Sequence, residues 1–385
     1  MVASIKFLFL KKTVYVGYIK MKKIGIITHY GVHNHGAQLQ LFALINVLHN
    51  NGYEANALRF EKDYRYMNAE ANSKYSISLK SISFYLKYLF SKGLKKTLFN
   101  IRKKIIFDKF RKKNEILGEL YSKFINDLII VGSDEVFSVE TGVTDAFWGN
   151  NAKCRNIISY AGSFGPTTLD EIKQKKLEDY ISTSINNFSS IAVRDRNSKE
   201  IIETLSGKNA QLTCDPVILY GYKNEIEVQK RNIKEDYILL YSYDNNMNSE
   251  SDISLVQHIS KELELHIYSI GFYHKWCDKN INADPIELLG YFKNAKYIIT
   301  DTFHGTVMSL ITESNFATKL CGNSNKLFNL LSEYNLQNRI FDNAEGCIDI
   351  LQREVNYEDV NRIICENRNN SKNYLLEEIN RVIGN

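Results

Sequence analysis

Three short stretches of this 385-residue sequence bring glycine, imidazole, carboxylate and hydroxyl groups together at spacings that could do chemistry. The first is Thr28-His29-Tyr30-Gly31-Val32-His33-Asn34-His35-Gly36-Ala37-Gln38. It follows an apolar run and precedes a helical pattern, so it reads as the turn from a strand into a helix. Such a turn offers free backbone N–H groups and a positive dipole end to an anion. Gly31 and Gly36 would let the chain come close to a ligand, and Asn34 could donate or accept beside it. His29, His33 and His35 invite a metal, but no carboxylate accompanies them, and loop histidines usually bond locally; no metal site is assigned. The dinucleotide fingerprint GxGxxG is absent, which disfavours a nicotinamide cofactor.

The second stretch, Val131-Gly132-Ser133-Asp134-Glu135-Val136-Phe137, also ends an apolar run. Two adjacent carboxylates at the end of a buried strand each need solvation or a partner. Asp134 or Glu135 could orient or deprotonate a ligand hydroxyl; alternatively, Ser133 or Asp134 caps a following helix. The third stretch is Thr300-Asp301-Thr302-Phe303-His304-Gly305-Thr306, between an expected strand Tyr297–Asp301 and an expected helix Val307–Thr312. From that turn His304 would project into a cleft, where histidine can shuttle a proton near neutral pH or, as a cation, bind phosphate. The bland alternative is a structural histidine.

Short runs rich in Ile, Val and Tyr alternate with helical patterns, the signature of βα units and parallel sheets. The clearest strands are Lys23–Thr28, Ala55–Phe60, Leu128–Gly132, Ile157–Ala161 and Ile191–Asp195 in the first half. In the second half they are Tyr237–Ser242, Leu265–Ile270, Tyr297–Asp301 and Phe316–Leu320. Leu41, Leu44, Ile45 and Leu48 recur at helical spacing in Gln38–His49, and Asn51-Gly52 stops that helix. The charged stretch Asp215–Arg231 reads as an interdomain linker. The fold class is therefore α/β, with two Rossmann-like domains facing across a cleft. The expected division is 21–218, 219–345 and polar C-terminal helices over 346–385, with a basic helical insertion at about 79–120. In such sheets ligands bind beyond the carboxyl ends of the strands, where all three stretches fall.

Hydrophobic content of 44% and charged content of 24% are those of a globular chain, and no apolar run is long enough to span a bilayer. The six cysteines are scattered without CxxC spacing, which suits a reducing cytosol and not a disulfide framework. The expected location is cytoplasmic. Residues 1–20 read as an upstream extension: Lys11 and Lys12 interrupt the run Ile5–Leu10, and no small-residue cleavage site follows. A net charge of +5 does not imply nucleic-acid binding. The charge is concentrated instead: Lys92 to Lys113 holds ten basic residues and one acid, Asp108, interleaved with Leu94, Leu98, Ile101, Ile105, Ile106, Phe107 and Phe110. Two readings stand. Either surface helices cover the sheet with a solvated basic face, or residues 92–113 contact the inner face of the cytoplasmic membrane.

Taken together, YGVHNHGAQLQLFAL, LIIVGSDEVF, IAVRDRNSKEII with CDP at 214–216, and FKNAKYIITDTFHGTVMSLI resemble the polysaccharide pyruvyl transferase family. The resemblance implies a GT-B-like fold with phosphoenolpyruvate as donor and no further cofactor. It also implies that the enolpyruvyl carbons pass to two hydroxyls of a sugar, as a cyclic ketal, in capsular or exopolysaccharide synthesis. The acceptor would be a sugar, including one on a lipid-linked oligosaccharide. That chemistry needs an acid for the methylene carbon, a base for the hydroxyls, and cations or backbone donors for about three negative charges on the donor. His304 is then the candidate phosphate contact or proton donor, and Asp134 or Glu135 the candidate for activating the acceptor. Gly31, Asn34, Gly36, Ser133, Arg194, Asp301, Thr302, Phe303 and Gly305 are the candidate binding residues. The sequence departs from the family at Thr302, where some members carry arginine, so another cation (Arg194 or Lys319) would have to serve. It departs again at Glu135, often glutamine, whose extra charge fits the acceptor side better than the donor side. Arg194 and Arg196 have a competing reading as surface partners of Asp195. On architecture alone, a nucleotide-sugar glycosyltransferase or a non-catalytic glycan-binding protein would share these features.

Overall fold

The computed structural model describes residues 21–61, 93–140, 142–321 and 325–384. The expected extension 1–20 and the leading part of the basic insertion, 79–92, lie outside the described residues. Two five-stranded sheets, every strand pair parallel, form the frame. The first comprises β1 (Lys23–Ile27), β2 (Glu54–Arg59), β3 (Leu117–Leu120), β4 (Leu128–Val131) and β5 (Ile157–Ser159), in spatial order β3-β2-β1-β4-β5. A short parallel pair, β6 (Ala192–Val193) and β7 (Gln211–Leu212), extends it through isolated bridges Ile158–Ser190 and Gly162–Val193. The second sheet comprises β8 (Tyr237–Tyr241), β9 (His266–Ile270), β10 (Lys279–Ile281), β11 (Tyr297–Thr300) and β12 (Phe316–Thr318), in order β10-β9-β8-β11-β12. Counting each sheet from its own first strand, both read 3-2-1-4-5. The order reverses between β1 and β4 in one and between β8 and β11 in the other, and a crevice opens at such a reversal.

The sheets are legible because strands covered on both faces must be apolar along their whole length. Leu128–Val131 and Tyr237–Tyr241 are buried at every position. The connecting helices, in chain order, are α1 (His35–His49), α2 (Leu94–Lys113), α3 (Leu169–Gln174), α4 (Glu178–Ile185), α5 (Arg196–Ser206), α6 (Pro216–Tyr220) and α7 (Lys223–Glu227). They continue as α8 (Glu250–Glu262), α9 (Pro285–Asn294), α10 (Phe303–Ile311), α11 (Asn325–Glu333), α12 (Ala344–Gln352) and α13 (Tyr357–Ile383). Helix α1 is buried on nearly every face, beyond the single stripe its sequence suggests, because α6 and α9 pack on the side turned away from the first sheet. One continuous apolar cluster therefore runs from Ile26 and Leu44 across to Leu239, Leu289 and Val307. Helix α13 returns to the first domain, where Ser371 accepts from the Cys214 backbone N–H at 2.9 Å.

Two expectations are corrected. Asp215–Arg231 carries the chain between the sheets, but it is no loose linker: it folds into α6 and α7, with Val217, Ile218, Leu219 and Tyr222 buried in the interface. Pro216 at the first helical position and the Asp215 carboxylate capping the Val217 N–H start α6, ahead of the charged residues that begin at Lys223. The basic stretch forms one long helix, α2, that reaches both domains. Arg111 donates to the Tyr30 carbonyl at 3.4 Å, while Lys96 pairs with Asp244 at 3.0 Å and the Asn282 amide donates to the Phe99 carbonyl at 2.9 Å. Lys103 is buried against the Phe272 ring, 4.3 Å from its centroid, and desolvation pushes its pKa down to about 8.

Candidate active site

The loops after β1, β4 and β11 lie at the two chain reversals, so the three sequence motifs are presented to one crevice. Asn34 caps α1 by accepting from the Ala37 N–H at 3.3 Å, and Thr302 caps α10 by accepting from the Gly305 N–H at 2.9 Å. Neither helix has an acid in its first turn, so no residue of its own neutralises the positive end of either dipole. The two N-termini meet at Gly36 and His304. A Cβ on Gly36 would fall 2.2 Å from the His304 ring, so only glycine admits that approach. On the other side, a Cβ on Gly305 would lie 2.0 Å from the Thr300 hydroxyl.

His304 is buried and held by side chains from both domains. The Gln40 amide nitrogen bonds its Nε2, and the Ser133 hydroxyl donates to the Gln40 carbonyl oxygen. An amide N–H can only donate, so in this arrangement Nε2 carries the lone pair and the ring proton sits on Nδ1. Asp215 stands 3.8 Å from Nε2. Arg194, its side chain only 3% exposed, joins Asp215 (3.2 Å) to Asp134 (3.5 Å) and lies 4.7 Å over the Phe303 ring. Burial lowers the His304 pKa from the ordinary histidine value; Asp215 opposes the shift and Arg194 adds to it. Proximity to Asp215 alone would suggest an imidazolium, but desolvation outweighs it and the free protein holds His304 neutral. Asp134 shifts downward: burial acts to raise its pKa, and the buried Arg194 guanidinium above all overcomes it. Asp134 also adopts φ of 79°, a conformation that costs a non-glycine residue of order 1 kcal/mol and aims its carboxylate at Arg194.

The remaining candidates divide. Glu135 forms an ion pair with Lys326 of α11, across the domain gap. Ser133 and Asp134 cap no helix; their side chains serve Gln40 and Arg194. The expected helix Val307–Thr312 begins at Phe303, which places Phe303, His304 and Gly305 in its first turn. Asp301 accepts from the Asn246 amide at 2.7 Å through one oxygen, leaves the other without a hydrogen bond, and is shifted upward by burial. Gly31 lies in open space, so no packing constraint explains it. Arg194 is a buried partner of Asp134 and Asp215, not a surface partner of Asp195, whose carboxylate caps α5. Lys319 is committed to Asp252 and cannot replace the missing arginine from where it stands. The three loop histidines do not share a metal position: His29 meets Phe147, while His33 and His35 both pack on Phe107, His35 fully buried with Nε2 3.0 Å from the Ala283 carbonyl. Among the described residues no group of three or more His, Cys, Asp or Glu is placed to hold a metal.

Sequence reasoning missed Gln40 and Lys326 and gave Asp215 no role. Gln40 had a signal, since a glutamine within an otherwise apolar helix needs a buried partner. Beside the His304 network lies a cavity of about 590 Å³, walled by Arg194, Arg196, Asp215, Phe303 and Lys326 among others. It is large enough for a small phosphorylated acid, with Arg194, Arg196 and Lys326 on its wall beside the carboxylates Asp195, Asp215 and Glu333.

Two Rossmann-like sheets with their crevices facing across a shared gap define a GT-B-like protein. Solved structures agree on the fold. A putative UDP-N-acetylglucosamine 2-epimerase from Listeria monocytogenes matches at TM-score 0.53 and 10% identity, over 94% of this chain and 96% of that one. A trehalose-6-phosphate synthase matches at TM-score 0.53 and 6% identity, over 94% and 99%. The MnaA–UDP structure from S. aureus matches at 0.51 and 12%, over 94% and 96%. At such identities the likeness extends to the fold alone. The family comes from the sequence: the profile of the polysaccharide pyruvyl transferase family matches residues 34–316, from the cap of α1 to the start of β12, and the chain belongs to that family. No curated protein matches it.

Proposed function

We propose that the protein transfers the enolpyruvyl group of phosphoenolpyruvate to two hydroxyls of one sugar, closing a pyruvate ketal on a unit of capsular or exopolysaccharide. One observation carries this reading: in a chain of this family, two helix N-termini with no acid in their first turns and a buried histidine meet beside a cavity that Arg194, Arg196 and Lys326 help to wall. The reaction adds a sugar O–H across the enol double bond, so the central carbon gains oxygen and the methylene carbon a proton. A second hydroxyl then displaces phosphate from the same carbon. The donor's phosphate and carboxylate suit Arg196, Lys326 and the helix ends. Lys326 would leave Glu135 for the donor, which frees Glu135 to accept a hydrogen bond from the sugar. His304, neutral before binding, exchanges the Gln40 amide at Nε2 for the attacking hydroxyl, takes that proton and delivers it to the methylene carbon. Arg194 stays with Asp134 and Asp215, fixing the carboxylates around the imidazole. The acceptor in this proposal is a sugar met in the cytoplasm, including one on a lipid-linked oligosaccharide at the inner face of the membrane. Among the described residues, no helix is long and apolar enough to cross a membrane.

The test is incubation with phosphoenolpyruvate and a panel of sugar and lipid-linked acceptors. Release of inorganic phosphate, with the acceptor gaining the mass of a pyruvate ketal, is the expected result. Phosphate release without a ketal product, or neither across a broad panel, would count against the reading.

A further inference from the structure

Helix α2 has two faces with different occupants. Its inner face is taken up by the protein: Phe99 meets Tyr273, Phe107 meets His33 and His35, and Phe110 meets Phe42. Tyr273 and His33 lie on loops beyond the carboxyl ends of the two sheets, and His35 and Phe42 belong to α1, so the helix spans both domains along one wall of the interdomain crevice. The outer face is different. Leu94, Leu98, Ile101 and Ile105, spaced by four, three and four residues, form one ridge on the helix surface. They are 70, 52, 49 and 48% exposed, which a helix turned only toward water has no reason to show four times in line. Lys95 and Arg102 border the ridge on one side and Lys104 on the other, and Lys109, Lys112 and Lys113 continue it toward the C-terminus; all are exposed. The helix's one acid, Asp108, is spent on Arg111 at 2.5 Å. A groove of about 490 Å³ adjoins the ridge, walled by Lys95, Leu98, Phe99, Arg102, Tyr273 and Asn282.

An aliphatic ridge rimmed by cations is complementary to one kind of surface, the boundary of an anionic bilayer, where alkyl chains accept the ridge and headgroup phosphates accept the lysines. A protein partner would ordinarily want aromatic anchors, and nucleic acid would leave four aliphatic side chains unused. We infer that the outer face of α2 docks the protein on an anionic membrane surface, with Leu94, Leu98, Ile101 and Ile105 inserted and Lys95 and Arg102 on lipid phosphates. Because the inner face of the same helix walls the crevice, docking holds the crevice beside the bilayer.

The experiment is co-sedimentation of the full chain with vesicles of phosphatidylglycerol and phosphatidylcholine, against vesicles of phosphatidylcholine alone. Binding is expected to the anionic vesicles, to weaken in about 0.5 M salt, and to fall at least about tenfold in Leu98→Glu/Ile105→Glu. Lys95→Glu/Arg102→Glu is expected to weaken it as well. The thermal midpoint of the leucine–isoleucine variant should stay that of the parent, since the ridge touches water. No binding to anionic vesicles, binding that the variants leave intact, or a variant that unfolds because the chain itself covers the ridge would each overturn the inference. The assay needs neither phosphoenolpyruvate nor sugar, so its failure leaves the proposed transfer standing, and failure of the transfer leaves the docking surface standing.

Discussion

Replacing His304 with alanine is expected to lower kcat for ketal formation by about 10²- to 10⁴-fold, the usual contribution of a positioned acid–base group. His304→Gln should fall as far while preserving a hydrogen bond to Gln40, which separates lost proton transfer from lost packing. The pH profile carries the same claim in another form. The folded-state pKa of His304 lies below its ordinary 6.5, so the ring is neutral at pH 7 and gains a proton only on acidification past that lowered value. In the free enzyme kcat/KM should therefore fall on the acid side, with a midpoint below 6.5, and His304→Gln should lack that limb. Stability follows the same sign. The unfolded chain binds the proton more readily, so this contribution is complete above about 6.5 and declines as pH drops toward the folded value. A fully active His304→Ala would remove the histidine from the chemistry.

Arg194→Met is expected to be the most destabilising single change in the crevice, by about 3–5 kcal/mol. It leaves Asp134 and Asp215 in a buried site with no cation between them, and desolvated carboxylates without a partner are costly. Urea unfolding measures it. Adding Asp215→Asn to Arg194→Met should recover a good part of the loss, because the second change removes one of the stranded charges. A variant as stable as the parent would mean that the guanidinium does not hold this triad together. Arg194→Lys keeps the charge but not the fork that reaches two carboxylates, and should lie between the two.

The fold was legible where physics leaves a one-dimensional trace. Strands covered on both faces become short apolar runs, and all nine expected strands have counterparts, each within a few residues. The short strands β3, β7 and β10 left no such trace: Leu117–Leu120 and Gln211–Leu212 are largely exposed, and Lys279–Ile281 is half-buried at an edge. The start of α10 was misjudged because Thr302 acts as its cap, which a turn-like Thr-Phe-His-Gly conceals. Asp215–Arg231 looked like a linker because its charges are visible in sequence, while the burial of Val217 and Tyr222 depends on α1 lying opposite. At the site, the convergence of Gly36, Asp134 and His304 could be expected from strand ends in an open α/β sheet. The partners could not. Gln40 reaches His304 from 264 positions away, and Lys326 reaches Glu135 across 191, distances at which local sequence is silent.

The central claim is that the gap between the two sheets binds an enol phosphate. Thermal unfolding of the parent chain in rising phosphoenolpyruvate tests it most directly, with UDP as the comparison ligand. A ligand bound only by the folded state adds about 2.7 kcal/mol at a hundredfold excess over Kd. The account predicts that phosphoenolpyruvate raises the midpoint progressively, that UDP does not, and that Lys326→Ala blunts the response. Stabilisation by UDP with none by phosphoenolpyruvate would contradict it.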